Sequence, residues 1–278
     1  MMTTTKISSF VYGSLICFAF ISCGGESTNE VDPMDSLIST VDSIAFTTEK
    51  IELKEGVCDK PDQSCITVNF EYPVFAETHS AGTPLNTWIR DQITTPDEKG
   101  NVRSQKEFAE YLITLFKNDK NAIGDDMMPW SVENIAGINF ENKGLISLYV
   151  SGSSYTGGAH PNSFTSYGSF YKSNGKKITI SEIVKDSVAF VKICEKHFRS
   201  FNGISPETDL TEQGFEFGDE GFIINTNFYI SDRSITFLYN NYEIGPYIMG
   251  SWAFSVPFAD IQEQLTSDFK ALIEIPIN

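Results

Sequence analysis

The sequence predicts an α+β fold, antiparallel sheets with a few packed helices, and three observations predict it. Several segments alternate at the two-residue period of a strand, as do Ile66, Val68, Phe70 and Tyr72 in "CITVNFEY". Others carry apolar residues at helical spacing behind a cap. In "SQKEFAEYLITLF", Ser104 and Glu107 form a capping box, followed by Phe108, Tyr111, Leu112, Leu115 and Phe116 on one stripe. The two kinds come in runs rather than in regular strand–helix–strand order, which argues against a doubly wound parallel sheet.

Taken in order, Ile44 to Tyr72 reads as two strands, with Pro73 expected to end the second. "TPLNTWIRDQI" predicts a helix with Thr83 as N-cap, Pro84 in its first position and Leu85, Trp88 and Ile89 inward. After Pro129 the chain turns strand-like in "WSVENIAGINFE", "LISLYVSGSSY" and "SFTSYGSFY", divided by turn residues 142–144 and 173–175. A helix over Ser187 to Arg199 is expected to bury Phe190, Ile193, Cys194, His197 and Phe198. Strands "FYI", "ITFLY" and "SWAFSV" close the pattern, which contains no internal repeat. This gives a smaller N-terminal portion over 43–128 and a larger C-terminal one over 129–278.

Of the 278 residues 41% are hydrophobic, enough for one large core or two modest ones. Lys6 is the only charge among the first 22 residues, so the rest holds 19 basic against 37 acidic residues, a net −18. Such a surface excludes nucleic acid and favours a cationic partner.

Lys6 precedes an apolar run from Ile7 to Ile21 that meets "SCGG". A run of about 15 residues is short for a membrane span of roughly 20 and suits an export signal. Residues 1–22 are therefore read as a lipoprotein signal peptide and Cys23 as the lipidated residue, with an uncleaved anchor as the rival; Phe20 stands where leucine is usual. Residues 23–42, rich in Gly, Ser, Thr and acids, read as a flexible tether. The expected location is the cell envelope, held to a membrane by lipid.

Cys58 and Cys65 flank the turn-forming "DKPDQS" and are expected to pair as a disulfide. Their spacing does not suit zinc. Cys194 lies on a helical stripe as a small buried hydrophobe.

The stretch "YTGGAHPN", residues 155–162, can be read in two ways. Gly157, Gly158, Pro161 and Asn162 are the makings of a tight turn. The same glycines would let a ligand approach the backbone beside Tyr155 while His160 supplied a hydrogen bond or a proton. A general base needs an orienting partner, and Glu243 in "NNYEIGPY" is the candidate, a carboxylate expected to be partly buried between Tyr242 and Tyr247. The alternative is that Glu243 caps backbone amides of its own loop. There is no G-x-S-x-G elbow. His79, His160 and His197 lack paired metal-ligand spacing, and Asp219 and Glu220 lack that of a calcium loop, so no metal or cofactor is expected. Tyr155, Tyr167, Tyr171, Tyr242 and Tyr247 could stack on sugars or fill a sheet edge.

Three stretches together resemble the PdaC/RsiV-like extracytoplasmic domains, found in a lysozyme-sensing anti-sigma factor and in front of a peptidoglycan deacetylase. They are "VNFEYPVF" with "LNTWIRDQI", "YTGGAHPN" with "GKKITISEI", and "FLYNNYEIGPYIMGSWAFSVPFADI". The resemblance spans roughly residues 44–265 and implies an α+β ectodomain. Neither the deacetylase's catalytic domain nor the anti-sigma factor's cytoplasmic segment has a counterpart, so those activities do not carry over. The reading is a non-enzymatic, lipid-anchored binding domain. Its ligand is a lysozyme-like cationic protein or a peptidoglycan-derived glycan, met by Tyr155, Gly157, Gly158, His160, Asn162, Tyr242, Glu243 and Tyr247. The alternative is a glycan-directed hydrolase or deacetylase using His160 and Glu243.

Overall fold

The computed structural model describes residues 43–58, 64–124, 126–219 and 221–274. The expected signal, the tether, Cys23, most of the loop between Cys58 and Cys65, and Glu220 lie outside them. Among the described residues the architecture is α+β, with a five-stranded sheet, a three-stranded sheet and six α-helices.

In the larger sheet, β1 (Phe46–Gly56), β2 (Cys65–Phe75), β3 (Trp130–Glu141), β4 (Leu145–Tyr155) and β5 (Asn162–Tyr171) lie side by side in chain order. All neighbours are antiparallel except β2 and β3. A parallel pair needs a crossover, supplied by α1 (Gly82–Ile93) and α2 (Gln105–Ile123). The ladder between β2 and β3 therefore runs across residues 128/129, where the two portions were expected to meet. Cys58 and Cys65 form the expected disulfide beside the β1–β2 pairing.

The ends of two elements differ from expectation. Strand β2 continues through Pro73 to Phe75, because its ladder to β3 stops at Glu71 and one edge then needs no backbone donor. Helix α1 begins at Gly82, after Ala81, rather than at Pro84 after Thr83. His79 makes the turn, its carbonyl accepting from Gly82 N (2.9 Å) and its Nδ1 from Ala81 N (3.1 Å). Pro84 is still in the first turn, where its missing N–H costs nothing. In α2 the capping box is present as expected, with Ser104 and Glu107 exchanging hydrogen bonds.

Helices α1 and α2 cover one face of the large sheet. Leu85, Ile89, Phe108, Leu112 and Phe116 meet Ile66, Val68, Phe70, Ile146 and Leu148 in one core. The second core lies in the C-terminal lobe, formed by α3 (Ile180–Ile183), α4 (Ser187–Phe201), β6 (Phe228–Ile230), β7 (Ser234–Tyr239), β8 (Trp252–Pro257), α5 (Phe258–Ile261) and α6 (Ser267–Leu272). Phe198 is its hub, within 5.2–6.1 Å of the rings of Phe215, Phe217, Phe222, Tyr239, Trp252 and Phe254. Truncating such a residue costs about 3–5 kcal/mol. His197, expected inside, is only partly buried, its Nε2 3.0 Å from Asp260. Cys194 is buried as expected, which pushes its thiol up to about 12.

A closed ring of hydrogen bonds ties the lobe to the sheet. Ser169 donates to Ser147 (2.7 Å), Ser147 donates to the carbonyl of Ile230 (2.7 Å), and Ile230 N returns a hydrogen bond to Ser169 (2.9 Å). This closed ring pairs both buried hydroxyls and both backbone polar groups of Ile230. At the end of the large sheet itself, Glu141 and Lys172 form an ion pair at 2.8 Å, whose carboxylate also accepts from Ile44 N.

Candidate functional site

The β4–β5 hairpin ends in residues 156–161, the middle of "YTGGAHPN". Gly157 and Gly158 have φ of 93° and 101°, and a Cβ at either would meet nothing within 4 Å. Backbone angle rather than space therefore requires glycine here. Tyr155 donates its O–H to the carbonyl of Gly158 (3.0 Å) and closes the loop on itself.

A second loop, residues 240–250, comes to the same place from the end of β7. Two asparagines hold it there. Asn240 accepts from Thr165 N through Oδ1 (2.8 Å) and donates to the carbonyl of Thr165 through Nδ2 (3.1 Å). Asn227 accepts from Tyr167 N (2.7 Å) and also donates to the carbonyl of Thr165 (2.8 Å). Side-chain amides thus take the role of a sixth strand along the open edge of β5, satisfying groups that would otherwise invite another chain.

Where the loops meet, rings gather. His160 stacks on Tyr247 with centroids 3.8 Å apart and planes 14° from parallel, and Tyr242 lies 5.5 Å from Tyr247. Tyr242 Oη is 3.2 Å from His160 Nε2, and His160 Nδ1 is 3.1 Å from the carbonyl of Pro161. A carbonyl only accepts, so neutral His160 carries its proton on Nδ1, and Nε2 receives the Tyr242 O–H. The Pro161 carbonyl also accepts from Tyr247 O–H (3.1 Å). Tyr242 pays for its place with a φ of 70°, left-handed backbone that a bulky residue seldom adopts. Beside it the single 3-10 turn Tyr247–Met249 lifts Ile248 into solvent, 92% exposed.

Of the residues singled out in the sequence, Tyr155, Gly157, Gly158, His160, Tyr242 and Tyr247 come together at this junction. Asn162 begins β5 opposite Ser154. Glu243 lies next to the junction but is exposed rather than partly buried. Its carboxylate accepts from Asn225 (3.1 Å) and Asn240 (3.4 Å), side-chain amides rather than the backbone amides or His160. The reason is local: the left-handed turn at Tyr242 sends its side chain to the histidine and the next one back toward the asparagines. Glu243 thereby braces the clamp that holds the loop. Sequence reasoning missed Ile248 and the asparagines 225, 227 and 240; an Asn-Asn step directly after a strand was the available signal. The three histidines sit in separate places, and among the described residues no three His, Cys, Asp or Glu side chains converge as a metal site.

Two family models match the chain in succession. Residues 60–163 match the family described as "Deacetylase PdaC" and residues 169–259 match the family described as "Protein of unknown function (DUF3298)". The seam between them falls within β5, close to where the large sheet gives way to the C-terminal lobe. Among solved structures, a DUF3298 family member from Bacteroides fragilis is similar at 21% identity over 82% of this chain and 96% of its own, with a TM-score of 0.62. A DUF3298 family protein from Pseudomonas aeruginosa is similar at 16% identity over 81% and 96%, with a TM-score of 0.58. These likenesses concern the fold. No curated protein matches the chain.

Proposed function

With a PdaC/DUF3298-like domain as the premise, we propose that this protein is a non-enzymatic binding domain of the cell envelope that captures a cationic, lysozyme-like protein at the junction of the two loops. One observation carries the reading: an exposed ring cluster, His160, Tyr242 and Tyr247, ends in the fully presented side chain of Ile248. A preorganised aromatic and aliphatic tip is the kind of anchor on which protein interfaces concentrate their energy. The net charge of −17 would speed encounter with a basic partner, and aromatic faces accept Lys and Arg side chains. Export with lipid on Cys23 belongs to the same reading and rests on the Ile7–Ile21 run and the "SCGG" that follows it.

The arrangement speaks against acid–base catalysis at His160. Its Nδ1 is engaged by a carbonyl and its Nε2 by a phenol, while Glu243 is held by asparagines. Among the described residues, neither nitrogen has a carboxylate to orient it.

Calorimetric titration with lysozyme at about 0.15 M ionic strength tests the proposal, alongside peptidoglycan fragments whose masses are measured afterwards. Saturable heat with lysozyme, lost in Tyr247→Ala and Ile248→Asp, is the expected result. No binding at high micromolar lysozyme, or a mass change in the glycan that depends on His160, overturns it.

A further inference from the structure

The two edges of the large sheet are treated differently. Asn227 and Asn240 close the β5 edge, whereas β1 is the last strand on its side and, among the described residues, no further strand lies beyond it. Its 11 residues contain no proline and pair with β2 without a register shift from Phe46 to Gly56. The phase of that ladder decides which groups are left over. Phe75, opposite Phe46, turns away from β1, donating its N–H to the side chain of Asn86 (2.8 Å) and accepting from it at its C=O (2.9 Å). The next residue, Ala76, donates to the carbonyl of Ala45 (2.8 Å). Bonded and unbonded pairs alternate along an antiparallel ladder. The odd-numbered residues of β1 therefore bond to β2, while Thr48, Lys50, Glu52 and Lys54 aim their backbone N–H and C=O outward, a row of groups on which another strand can form.

We infer that this edge is the interface of a homodimer, in which β1 pairs antiparallel with β1 of a second copy and the two five-stranded sheets continue into one another. The strand sequence "FTTEKIELKEG" selects its own copy as partner. A two-fold axis at Ile51 is the one register that pairs all 11 residues. It sets Lys50 opposite Glu52 of the second copy, and Glu52 opposite that copy's Lys50, with no like charges directly opposed. Sliding by two residues either way brings Lys50 against Lys50 or Glu52 against Glu52, and sliding by one sets helix-side residues beside open-face residues. Charges on an edge strand ordinarily keep other chains off; the order of these makes the edge complementary to itself. Lys50 meets Glu71 of its own chain at 2.9 Å and still has donors for a second carboxylate. Backbone and side chains agree on this register. Lys50 and Glu52 are outward-bonding residues, while Ile51 meets Ile51 as a non-hydrogen-bonded pair, the kind that brings side chains closest. Ile51 and Leu53, only partly buried against the helix-side core, are the apolar groups that pairing covers. The loop junction lies at the opposite edge, beyond β5, so both copies of it stay accessible.

Sedimentation velocity of the whole protein over a concentration series reads the assembly, and amide hydrogen exchange reads the strand. The expected result is a reversible monomer–dimer equilibrium in which the Lys50 and Glu52 amides gain protection as dimer forms. Glu52→Lys, which sets lysine against lysine twice, should weaken the dimer about tenfold or more. Adding Lys50→Glu to it exchanges the two charges and should restore association. Both positions are exposed, so the variants should fold, which unchanged circular dichroism would verify. Tyr247→Ala should leave the equilibrium intact. A protein that stays monomeric at high micromolar concentration overturns the inference. So does a dimer that Glu52→Lys leaves unchanged, a dimer whose Lys50 and Glu52 amides exchange as fast as in the monomer, or loss of the dimer in Tyr247→Ala, which would place the interface at the loop junction.

Discussion

Asn240 grips Thr165 from both sides, accepting its N–H at 2.8 Å and donating to its C=O at 3.1 Å across 75 residues of sequence. Everything that makes the loop junction depends on this clasp, because Tyr242 and Tyr247 reach His160 only when the loop after β7 lies along β5. Replacing Asn240 with Ala should cost about 1–3 kcal/mol by leaving strand-edge groups unpaired. Amide hydrogen exchange should rise at Thr165 and through residues 240–250 before the rest of the lobe.

Tyr242 separates stability from binding. Its left-handed backbone costs a non-glycine residue roughly 1–2 kcal/mol, which offsets the hydrogen bond it makes to His160. Tyr242→Gly should therefore leave stability within about 1 kcal/mol of the parent while reducing affinity for the partner at the junction. Thermal unfolding and calorimetry on the same variant check both halves.

Lys172 is almost wholly buried with Glu141, its side chain 6% exposed. Lys172→Ala strands a carboxylate that also holds Ile44 N, and a loss of about 3–5 kcal/mol is expected. Changing Lys172 and Glu141 together to Met and Gln should recover much of it, as measured by urea unfolding.

Reduction of Cys58–Cys65 opens a short loop, with the cysteines 7 residues apart in sequence. The chain-entropy estimate for so small a ring is about 2–3 kcal/mol, to be read as a lowered urea midpoint in reductant.

Alkaline pH should weaken the fold. Burial raises the Cys194 thiol to about 12 and also raises Tyr239, while burial followed by the Glu49 carboxylate raises Tyr72. In each case the folded chain holds a proton that the unfolded chain releases earlier. Stability is fully present below about pH 8.5, the ordinary thiol value, and falls as pH climbs toward 12. Cys194→Ala should make that decline shallower; an unchanged slope would contradict the assignment.

Much of the fold is legible in the chain because it rests on local periodicity. The alternation of "CITVNFEY", the capping box at Ser104 and Glu107, and the stripe Phe190, Cys194 and Phe198 each announce an element and its buried face. Element ends are less legible, since they depend on partners: Pro73 is admitted to β2 only because the ladder to β3 has already stopped at Glu71, and α1 starts early because His79 caps the turn before it. The glycine-rich loop announces itself by composition, but the destination of its histidine does not.

The sequence by itself determined an α+β chain with an acidic surface, a Cys58–Cys65 disulfide, two sets of core-facing residues and a hairpin loop that needs Gly157 and Gly158. Only the tertiary structure decided that β2 and β3 pair in parallel across the expected division, that Tyr242 rather than Glu243 meets His160, and that Asn227 and Asn240 close the edge of β5. The physical reason is range. Periodicity, capping and turn geometry act within a few residues and are written in composition and spacing, whereas these contacts join groups 60 to 82 residues apart, whose meeting is fixed by how the lobe packs on the sheet.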